Sequence, residues 1–457
     1  MLNTVLLTYL VGLALILFQS AYRMNRSDFE IMAPVGSPES LAAALRAGAD
    51  SIYFGIENLN MRAHSASTFS IDDLHRISEE CRLCGVKSYL TVNTIIYGED
   101  LPLMRQILDA AKKAGISAVI ASDVAVMNYC REIGQEVHLS TQLNISNIEA
   151  LKFYAQFADV VVLARELNMD QVSEIHEAII REKITGPAGQ LIRIEMFAHG
   201  ALCMAVSGKC YMSLHEYNRS ANRGACAQVC RHGYEAYRLD DLDHDIQLEI
   251  DNKYIMSPKD LKTIHFMNKM MDAGVEVYKI EGRARGPEYV KTVVECYKQA
   301  AEAVETLGMH KDTFLAASQE EQQQRMEKWN ELCAGWDEKL SYVFNRGFWN
   351  GYYLGQRLGE WSANYGSLAK EHKVYAAKTV GWFSKIGIGD FQCEAEELHK
   401  GDKVLIIGPT TGVVEIILDE IQVDYKVVEI IHKGDRFTIP VKEKIRPSDK
   451  LYVMRVN

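Results

Sequence analysis

The chain has 457 residues and a formal net charge of −11; 24% of its residues are charged and 48% are hydrophobic. This balance is typical of a globular protein with one large domain and a smaller one, and it excludes a disordered or collagen-like chain. The acidic charge argues against broad, non-specific nucleic-acid binding, although it is compatible with a local basic patch. Ten cysteines in this length are too few for a disulfide scaffold.

Residues 1–23 differ from the rest of the chain because the run VLLTYLVGLALILF, from Val5 to Phe18, is almost wholly apolar. The run is shorter than the roughly 20 residues that cross a bilayer, and it lacks the basic flank and small-residue cleavage site of a signal peptide. We interpret this segment as an extension from a start codon assigned too early, with the true start at Met24; a membrane anchor is the alternative. We expect a cytoplasmic protein without stable membrane association.

Short β-rich runs alternate with helix-like segments after residue 29. Eight such runs begin at Glu30, Ser51, Lys87, Ala118, Glu136, Asp159, Ile192 and Val275. Alternating β and α segments with apolar strands indicate a parallel sheet that is covered on both faces. Eight units predict an α/β fold, a (β/α)8 TIM-like barrel over residues 24–310. An open, doubly wound sheet is the structural alternative.

Polar side chains gather where these runs end, at the edge where the active sites of such barrels lie. They are Ser37, Asn93, Asp123, Thr141, Gln142, Asn144, Arg165, Glu166, His199, Glu281, Arg283 and Arg285. Each one alone is explained as a loop or helix cap, but together they predict a polar mouth.

An insertion of 75 positions, residues 200–274, precedes the eighth run, where a crossover needs only a dozen or more residues. It carries Cys203, Cys210, Cys226 and Cys230 with the spacing C-x6-C-x15-C-x3-C. Thiolates bind zinc and iron–sulfur clusters. The spacing departs from the paired C-x2-C knuckles of zinc ribbons, which favours a cluster. The residues by themselves predict a four-cysteine metal site, holding either a 4Fe–4S cluster or zinc.

The remainder of the chain divides into two parts. Residues 311–373 combine a charged helical segment with the stretch FNRGFWNGYYLG, which begins at Phe344 and is interpreted as a packed connector or as a binding loop. In residues 374–457, β-rich runs alternate with Gly-Asp and Lys-Gly turns. This pattern predicts a small, all-β barrel domain at the C-terminus.

The run E-x-F-x-x-G-A-L-C-x4-G-x-C-x-M-S, from Glu195 to Ser213, resembles the signature of peptidase family U32, the collagenase-like proteins. The opening APVGSPESLAAALRAGADSIYFG, the SPKDL at Ser257 and the KIEGRARGPEYV at Lys279 are also similar to that family, in the same order. The resemblance covers nearly everything after Met24.

The resemblance implies an activity other than the one in the family's name. Similar proteins include tRNA uridine hydroxylation proteins of the TrhP type, which this chain resembles most, an rRNA cytidine hydroxylase, and hydroxylases of anaerobic ubiquinone synthesis. The implied function is oxygen-independent, prephenate-dependent tRNA hydroxylation that forms 5-hydroxyuridine at the wobble position. The implied partners are tRNA, prephenate and a U32-family paralogue. An rRNA or ubiquinone-precursor substrate, or a U32-type peptidase activity, are the alternatives.

The same resemblance assigns the cofactor, and the position of two residues beside the cysteine segment makes them candidates for catalysis. Cys203, Cys210, Cys226 and Cys230 would hold the 4Fe–4S cluster. Glu195 and His199 lie four residues apart at the end of the strand that leads into the cysteine segment. They are candidates for proton transfer or for orienting other groups, and for His199 a structural role is the alternative.

Prephenate carries two carboxylates, and arginine binds carboxylates in a bidentate manner. Arg165, Arg283 and Arg285 at the barrel mouth are therefore candidate substrate-binding residues, together with Lys259 of the SPKDL motif. Further candidates within the insertion are Arg219, Arg223 and Arg231. For any one of these arginines, surface ion pairing is the simpler explanation.

A peptidase would require a hydrolytic constellation. The sequence contains neither H-E-x-x-H nor G-x-S-x-G. A cysteine peptidase needs one activated thiolate beside a histidine, which four clustered cysteines fit poorly. The residues therefore favour a hydroxylase over a peptidase, and a non-catalytic binding protein is a third interpretation.

Overall fold

The computed structural model describes residues 29–56, 58–63, 69–234 and 253–457. The strands of its first part are β1 (Glu30–Val35), β2 (Ser51–Phe54), β3 (Lys87–Val92), β4 (Ala118–Ala121), β5 (Val137–Leu139), β6 (Val160–Val162), β7 (Arg193–Gly200), β8 (Asp260–Lys262) and β9 (Val275–Ile280). The helices are α1 (Pro38–Arg46), α2 (Leu74–Leu83), α3 (Leu101–Ala114), α4 (Val124–Glu132), α5 (Ile148–Ala155), α6 (Met169–Glu182), α7 (Met212–Tyr217), α8 (Met267–Asp272) and α9 (Pro287–Thr306).

Eight of these strands close into a parallel barrel. From β1 to β7 each strand pairs in parallel with the next, and β9 closes the ring because it pairs in parallel with both β7 and β1. The eight predicted runs are the eight barrel strands. The predicted (β/α)8 fold is therefore confirmed, and the doubly wound alternative is wrong.

Local sequence signals determine where the outer helices begin and end. Ser37 caps α1 by accepting a hydrogen bond from the backbone N–H of Ser40. Asn168 and Gln171 form a capping box at the start of α6. Gly115 ends α3 in the left-handed conformation. These caps define the ends of the helices and so the turns that join them to the strands. Because the eight barrel strands are parallel, their C-terminal ends all lie at one edge of the barrel.

The segment that follows α9 packs on the barrel. Its helices are α10 (Lys311–Leu315) and α11 (Gln319–Tyr342), and its strand is β10 (Phe348–Trp349). Trp329 and Trp336 of α11 are buried in the same hydrophobic core as the barrel helices. β10 pairs in parallel with β8, which pairs antiparallel with the end of β7. The predicted connector thus contributes a strand to the sheet of the barrel.

The C-terminal part is built from antiparallel sheets, as the alternating runs predicted. Its strands are β11 (Glu371–Phe383), β12 (Ile388–Cys393), β13 (Leu398–His399), β14 (Lys403–Gly408), β15 (Gly412–Ile417), β16 (Gln422–Val423), β17 (Lys426–Val427), β18 (Ile430–Ile431), β19 (Arg436–Pro440) and β20 (Lys450–Val456). The larger sheet has the order β15-β14-β20-β11-β12-β19-β16-β17. Its outer face packs on α1 through contacts of Ala43 with Leu405, Ile407 and Val413.

Among the helices of the described ranges, none combines the length and apolar character that crossing a bilayer requires. The predicted extension, residues 1–23, and the predicted start at Met24 lie outside the described residues, as do residues 235–252 of the insertion.

Gly274, directly before β9, offers a test of how tightly the barrel is packed. Its φ is +87°, and a Cβ there would lie 2.1 Å from Cγ of His176 on α6. We expect Gly274→Ala to lower the free energy of unfolding by about 3 kcal/mol, because a left-handed L-residue and a displaced ring both cost energy. Gly85→Ala is the matched control, since Gly85 has a φ of +69° and open space around its Cβ position. It should lose only about 1–2 kcal/mol. Equal losses in urea denaturation would contradict this packing.

Candidate active site

A cavity of about 230 Å³ opens at the C-terminal ends of the barrel strands. Part of its wall comes from the strand ends and the loops that follow them, namely Tyr53, Thr91, Asn93, Ser140, Thr141, Gln142, Arg165, Phe197, Lys279, Glu281, Arg283 and Arg285. The cysteine-containing insertion provides most of the rest of the wall. Of the twelve polar residues expected at this mouth, seven line the cavity. The five that do not are Ser37, Asp123, Asn144, Glu166 and His199.

The four clustered cysteines all line this cavity. They are Cys203, which is exposed, and Cys210, Cys226 and Cys230, which are half-buried; all four are free thiols. Burial raises the pKa of the Cys230 thiol, and the other three thiols raise it further while Arg231 opposes them. In the part of the chain that the structure describes, no three His, Cys, Asp or Glu side chains converge as a ready-made metal site. The fold thus gathers the four thiols on one wall, although they do not meet at metal-ligand geometry.

Buried polar contacts hold the cysteine segment over the barrel mouth. The Arg231 guanidinium donates to the carbonyl oxygens of Leu202 and Pro258, so it ties both ends of the insertion together. Gly224, two residues before Cys226, has a φ of +85°, and a Cβ there would lie 2.4 Å from the carbonyl oxygen of Asn60. Only glycine allows so close an approach of the segment to the loop after β2.

The cavity wall is strongly cationic despite the acidic charge of the chain. Its basic residues are Arg62, Arg165, Arg231, Lys279, Arg283, Arg285 and Arg346. Glu281 is the one acidic residue among the described residues of the wall. Fixed positive charges in a concave, partly apolar site attract anions. The geometry therefore suits a small ligand that carries carboxylate or phosphate groups.

Arg283 is the most buried of the predicted arginines. It donates to Oδ1 of Asn60 at 3.2 Å and to Oγ1 of Thr91 at 2.9 Å, while its Nε has no hydrogen-bond partner in the described chain. Burial lowers the pKa of its guanidinium. Burial by itself would raise the pKa of the Glu281 carboxyl. The charges of Arg62 and Arg283 outweigh burial, so the pKa of this carboxyl is lower than its usual value. A buried donor without a partner is costly, and the charge of this guanidinium lies at the cavity wall.

Arg285 also lines the cavity. Its guanidinium stacks on the ring of Phe344, 3.4 Å from the ring centroid. Burial and the neighbouring Arg346 lower its pKa to about 10. Arg346 is held by Asp260, with Nη1 and Oδ1 3.4 Å apart. Stacking orients the Arg285 guanidinium toward the cavity without engaging its N–H groups.

Two other predicted substrate-binding residues have different positions. Arg165 lines the cavity and donates to Oγ of Ser207 at 2.6 Å. Lys259 does not line the cavity, because its ammonium pairs with Oε2 of Glu360 at 2.7 Å. At Lys259 an ion pair with Glu360 thus replaces the predicted contact with substrate.

Glu195 lies inside the barrel beneath the cavity and is fully buried. Its Oε1 accepts a hydrogen bond from the ammonium of Lys279 at 2.7 Å, and Lys279 lines the cavity floor. Its Oε2 lies 3.9 Å from Nδ1 of His138. Glu195 can therefore act on a ligand only through Lys279.

His199 lies on the opposite face of β7 from Glu195, although the two residues are four positions apart. The pairing of β7 with β9 shifts register between Phe197 and His199, so that His199 lies opposite Ile280. Such a bulge reverses the face of the residues that follow it. The imidazole packs on Tyr289, Tyr297 and Phe348 outside the cavity. This position fits packing better than contact with a ligand.

Sequence reasoning missed three cationic residues of the wall. Lys279 lies within the β9 run. Because Glu281 was expected to face the mouth, the residue two positions before it on the same strand could have been predicted to face inward as well. Arg62 comes from the loop after β2 and had no motif. Arg346 belongs to the FNRG stretch, for which a binding loop was one of the two interpretations. Its proximity to Arg285 depends on the return of the chain to the barrel through β10.

Comparison with known proteins gives one family match. A family model described as Peptidase family U32 matches residues 36–363. A protein from Porphyromonas gingivalis named "Collagenase" is 63% identical over 429 residues, which cover 94% of this chain and 98% of that protein.

More distant relatives carry RNA-modification names. "tRNA hydroxylation protein P1" of Bacillus subtilis is 36% identical over 278 residues, which cover 60% of this chain and 63% of that protein. A 23S rRNA 5-hydroxycytidine synthase of Escherichia coli is 34% identical over 277 residues, which cover 60% of this chain and 39% of that protein.

His199 yields a prediction for the pH dependence of stability. Burial, and then the charge of Lys262, lower the pKa of its imidazole to about 3. The unfolded chain binds the proton near pH 6.5 and the folded chain does not, so stability falls as the pH drops below 6.5. Between pH 7 and pH 5 the contribution of His199 to this loss is about 2 kcal/mol. His199→Phe should lose that much less over the same interval in urea denaturation; an unchanged pH dependence would contradict the buried, neutral imidazole.

Proposed function

The chain belongs to peptidase family U32, and we propose that it hydroxylates an RNA base without molecular oxygen, with prephenate as the hydroxyl source. The proposed product is 5-hydroxyuridine at the wobble position of tRNA, and the proposed compartment is the cytoplasm. The observation that carries the proposal is that the four clustered cysteines and seven cationic side chains line one and the same cavity. A redox cofactor and an anionic ligand could therefore meet there.

The proposed cofactor is a 4Fe–4S cluster held by Cys203, Cys210, Cys226 and Cys230. Four free thiols on one cavity wall, none of them in a disulfide, are the donor set that such a cluster requires. Bound there, the cluster would supply one-electron redox chemistry. Zinc is the alternative occupant, since it also binds four thiolates.

The arginines of the wall are suited to a ligand with two carboxylates. Arg283 lines the cavity, and the stacked guanidinium of Arg285 is oriented by Phe344. Charge-assisted hydrogen bonds to carboxylates are about twice as strong as neutral ones, and planar guanidinium groups form them in pairs. We assign the binding of prephenate to these two residues, with Arg165 as a third contact and Lys259 outside the site.

Two relatives named for tRNA and rRNA modification support an RNA substrate for this chain. The cavity opens at the barrel mouth, where an unpaired base of a single-stranded loop could enter, as enzymes that modify bases require. An rRNA or a ubiquinone precursor would use the same cavity. Identification of the hydroxylated product distinguishes these substrates from tRNA.

Peptidase activity is the second candidate function, favoured by the 63% identical relative that is named "Collagenase". The described cavity wall contains no histidine beside its cysteines, which a cysteine nucleophile would use as a base. Cleavage of gelatin by the purified chain that survives Cys203→Ala would contradict the hydroxylase proposal.

The cofactor proposal predicts the metal content of the purified protein. Under anaerobic conditions we expect a brown protein with about four iron atoms per chain. Cys203→Ser should lose the visible absorbance and most of the iron. Cys84→Ser removes an exposed thiol outside the insertion and is the matched control, which should keep both. A colourless wild-type protein with one zinc would contradict the cluster.

The substrate proposal predicts the nucleoside composition of tRNA. A strain that lacks the gene and any compensating paralogue should lose wobble 5-hydroxyuridine in mass spectrometry of its tRNA, and the wild-type gene should restore it. Arg285→Ala should restore it about 10-fold less efficiently at limiting prephenate, because one charge-assisted hydrogen bond contributes about 1.5 kcal/mol or more. The exposed Arg105 is the matched control, and Arg105→Ala should behave as wild type. Unchanged 5-hydroxyuridine in the deletion strain would contradict the tRNA substrate.

A further inference from the structure

The cavity wall contains uncharged polar side chains in addition to its cationic groups. Ser140, Thr141 and Gln142 follow β5, and Asn93 follows β3. Both strands pair with β4, so only one strand separates the two loops. Amide and hydroxyl groups distinguish donors from acceptors on a ligand, whereas a positive charge attracts any anion. These side chains are therefore suited to recognise a neutral, hydrogen-bonding edge of a ligand.

A chain of three hydrogen bonds links the two loops and begins at a backbone amide. The N–H of Met61 donates to Oδ1 of Asn93 at 3.3 Å. Nδ2 of Asn93 donates to Oγ of Ser140, also at 3.3 Å. The Ser140 hydroxyl donates to Oε1 of Gln142 at 2.6 Å. Asn93 and Ser140 are both more than 90% buried, so water competes little for these bonds.

The direction of this chain is fixed at its first member. A backbone N–H only donates, so the Asn93 amide places its oxygen toward Met61 and its NH2 group toward Ser140. The Ser140 oxygen accepts from that NH2 group and has one hydrogen left to donate. Its distance of 2.6 Å to Gln142 is typical of an O–H···O bond and shorter than an N–H···O bond. The Gln142 amide therefore turns its oxygen toward Ser140 and its nitrogen away.

The rest of Gln142 is held in place as well. Nδ2 of Asn144 donates to the Gln142 carbonyl oxygen at 2.8 Å. Gly208 of the cysteine segment packs on the Gln142 side chain, since a Cβ added at Gly208 would lie 3.0 Å from Cβ of Gln142. Nε2 of Gln142 has no hydrogen-bond partner in the described chain, and it is not one of the buried atoms there that lack one. Gln142 thus offers the cavity one oriented N–H donor.

The position of Gln142 indicates which part of a pyrimidine it would meet. Gly208 lies two positions before Cys210, so Gln142 packs against the wall that carries the clustered cysteines. In the proposed function, C5 of the base reacts at that wall. The ring neighbours of C5 are C4 and C6, and only C4 carries a polar substituent. That substituent is a carbonyl oxygen, an acceptor, in uracil and an amino group, a donor, in cytosine.

We propose that Gln142 is a specificity-determining residue, which selects uracil over cytosine by donating from Nε2 to O4 of the target base. This role rests on the proposed function, because it requires a pyrimidine in the cavity. Cytosine would place its amino group against the same N–H donor, and two donors that face each other both remain unsatisfied. Asn93 and Ser140 are positioning residues in this role, because they act through the direction of the Gln142 amide.

The test measures, by fluorescence anisotropy, the dissociation constants of two anticodon stem-loops that differ only in the wobble base, uridine or cytidine. The anaerobically prepared, iron-containing wild type should bind the uridine loop about 10-fold more tightly, as one well-placed base contact allows. Gln142→Met keeps the length of the side chain and removes the amide, so the two constants should become equal. Gln142→Glu replaces the donor by an acceptor and should favour cytidine. The control Gln106→Glu, on the exposed face of α3, should keep the wild-type preference.

Ser140→Ala tests the direction of the chain without removing the contact itself. The Gln142 amide then loses the donor that orients it, so the ratio of the two dissociation constants should fall toward one. A merely structural role of Ser140 would weaken the binding of both loops alike, and an unchanged ratio would overturn the positioning role. This variant also decides the matter if Gln142→Met does not fold.

The role of Gln142 and the proposed function can fail separately. A wild type that binds both loops equally, or a Gln142→Met variant that keeps the uridine preference, would overturn the role of Gln142. The proposed function would stand in that case if 5-hydroxyuridine still forms. A uridine preference that depends on Gln142, in a protein that holds iron but forms no hydroxylated nucleoside, would support the contact and contradict the proposed function.

Discussion

The arrangement of the whole site depends on one strand, β9, which pairs with β7 on one side and with β1 on the other. This closure turns an open parallel sheet into a barrel. It also brings the sequence that follows β9, with Glu281, Arg283 and Arg285, next to the cysteine segment that follows β7. Residues about 75 positions apart in the chain therefore share one cavity wall, and any change that weakens this closure would disperse the wall.

The electrostatics of the molecule are uneven in a way that its net charge conceals. The chain is acidic, yet the cavity wall has seven basic side chains and a single acidic one among its described residues. Burial makes these charges costly, and the fold offsets the cost by local pairing. Glu281 compensates Arg62, and Asp260 compensates Arg346. Arg283 and Arg285 line the same cavity, and in the proposed function they are the residues that an anionic ligand would engage.

Two chemically different sets of side chains share the cavity. The four clustered cysteines line it together with the arginines, and the ammonium of Lys279 on its wall pairs with the buried Glu195. In the proposed function, a redox cofactor and an anionic ligand would therefore occupy the same cavity. Peptide hydrolysis would not need four thiols there.

Local periodicity and spacing are sufficient to predict the eight strands, the all-β C-terminal part and the clustering of four cysteines. They also indicated Arg283 and Arg285, since residues just after a barrel strand face the mouth. The orientation of His199 away from the cavity could not be predicted in this way, because the bulge in β7 depends on pairing with β9. The same holds for the ion pair of Lys259 with Glu360, which joins distant segments. Lys279, Arg62 and Arg346 likewise joined the wall through contacts between distant segments. Such contacts depend on the register of strand pairing and on where distant segments of the chain meet, and a local sequence pattern contains neither.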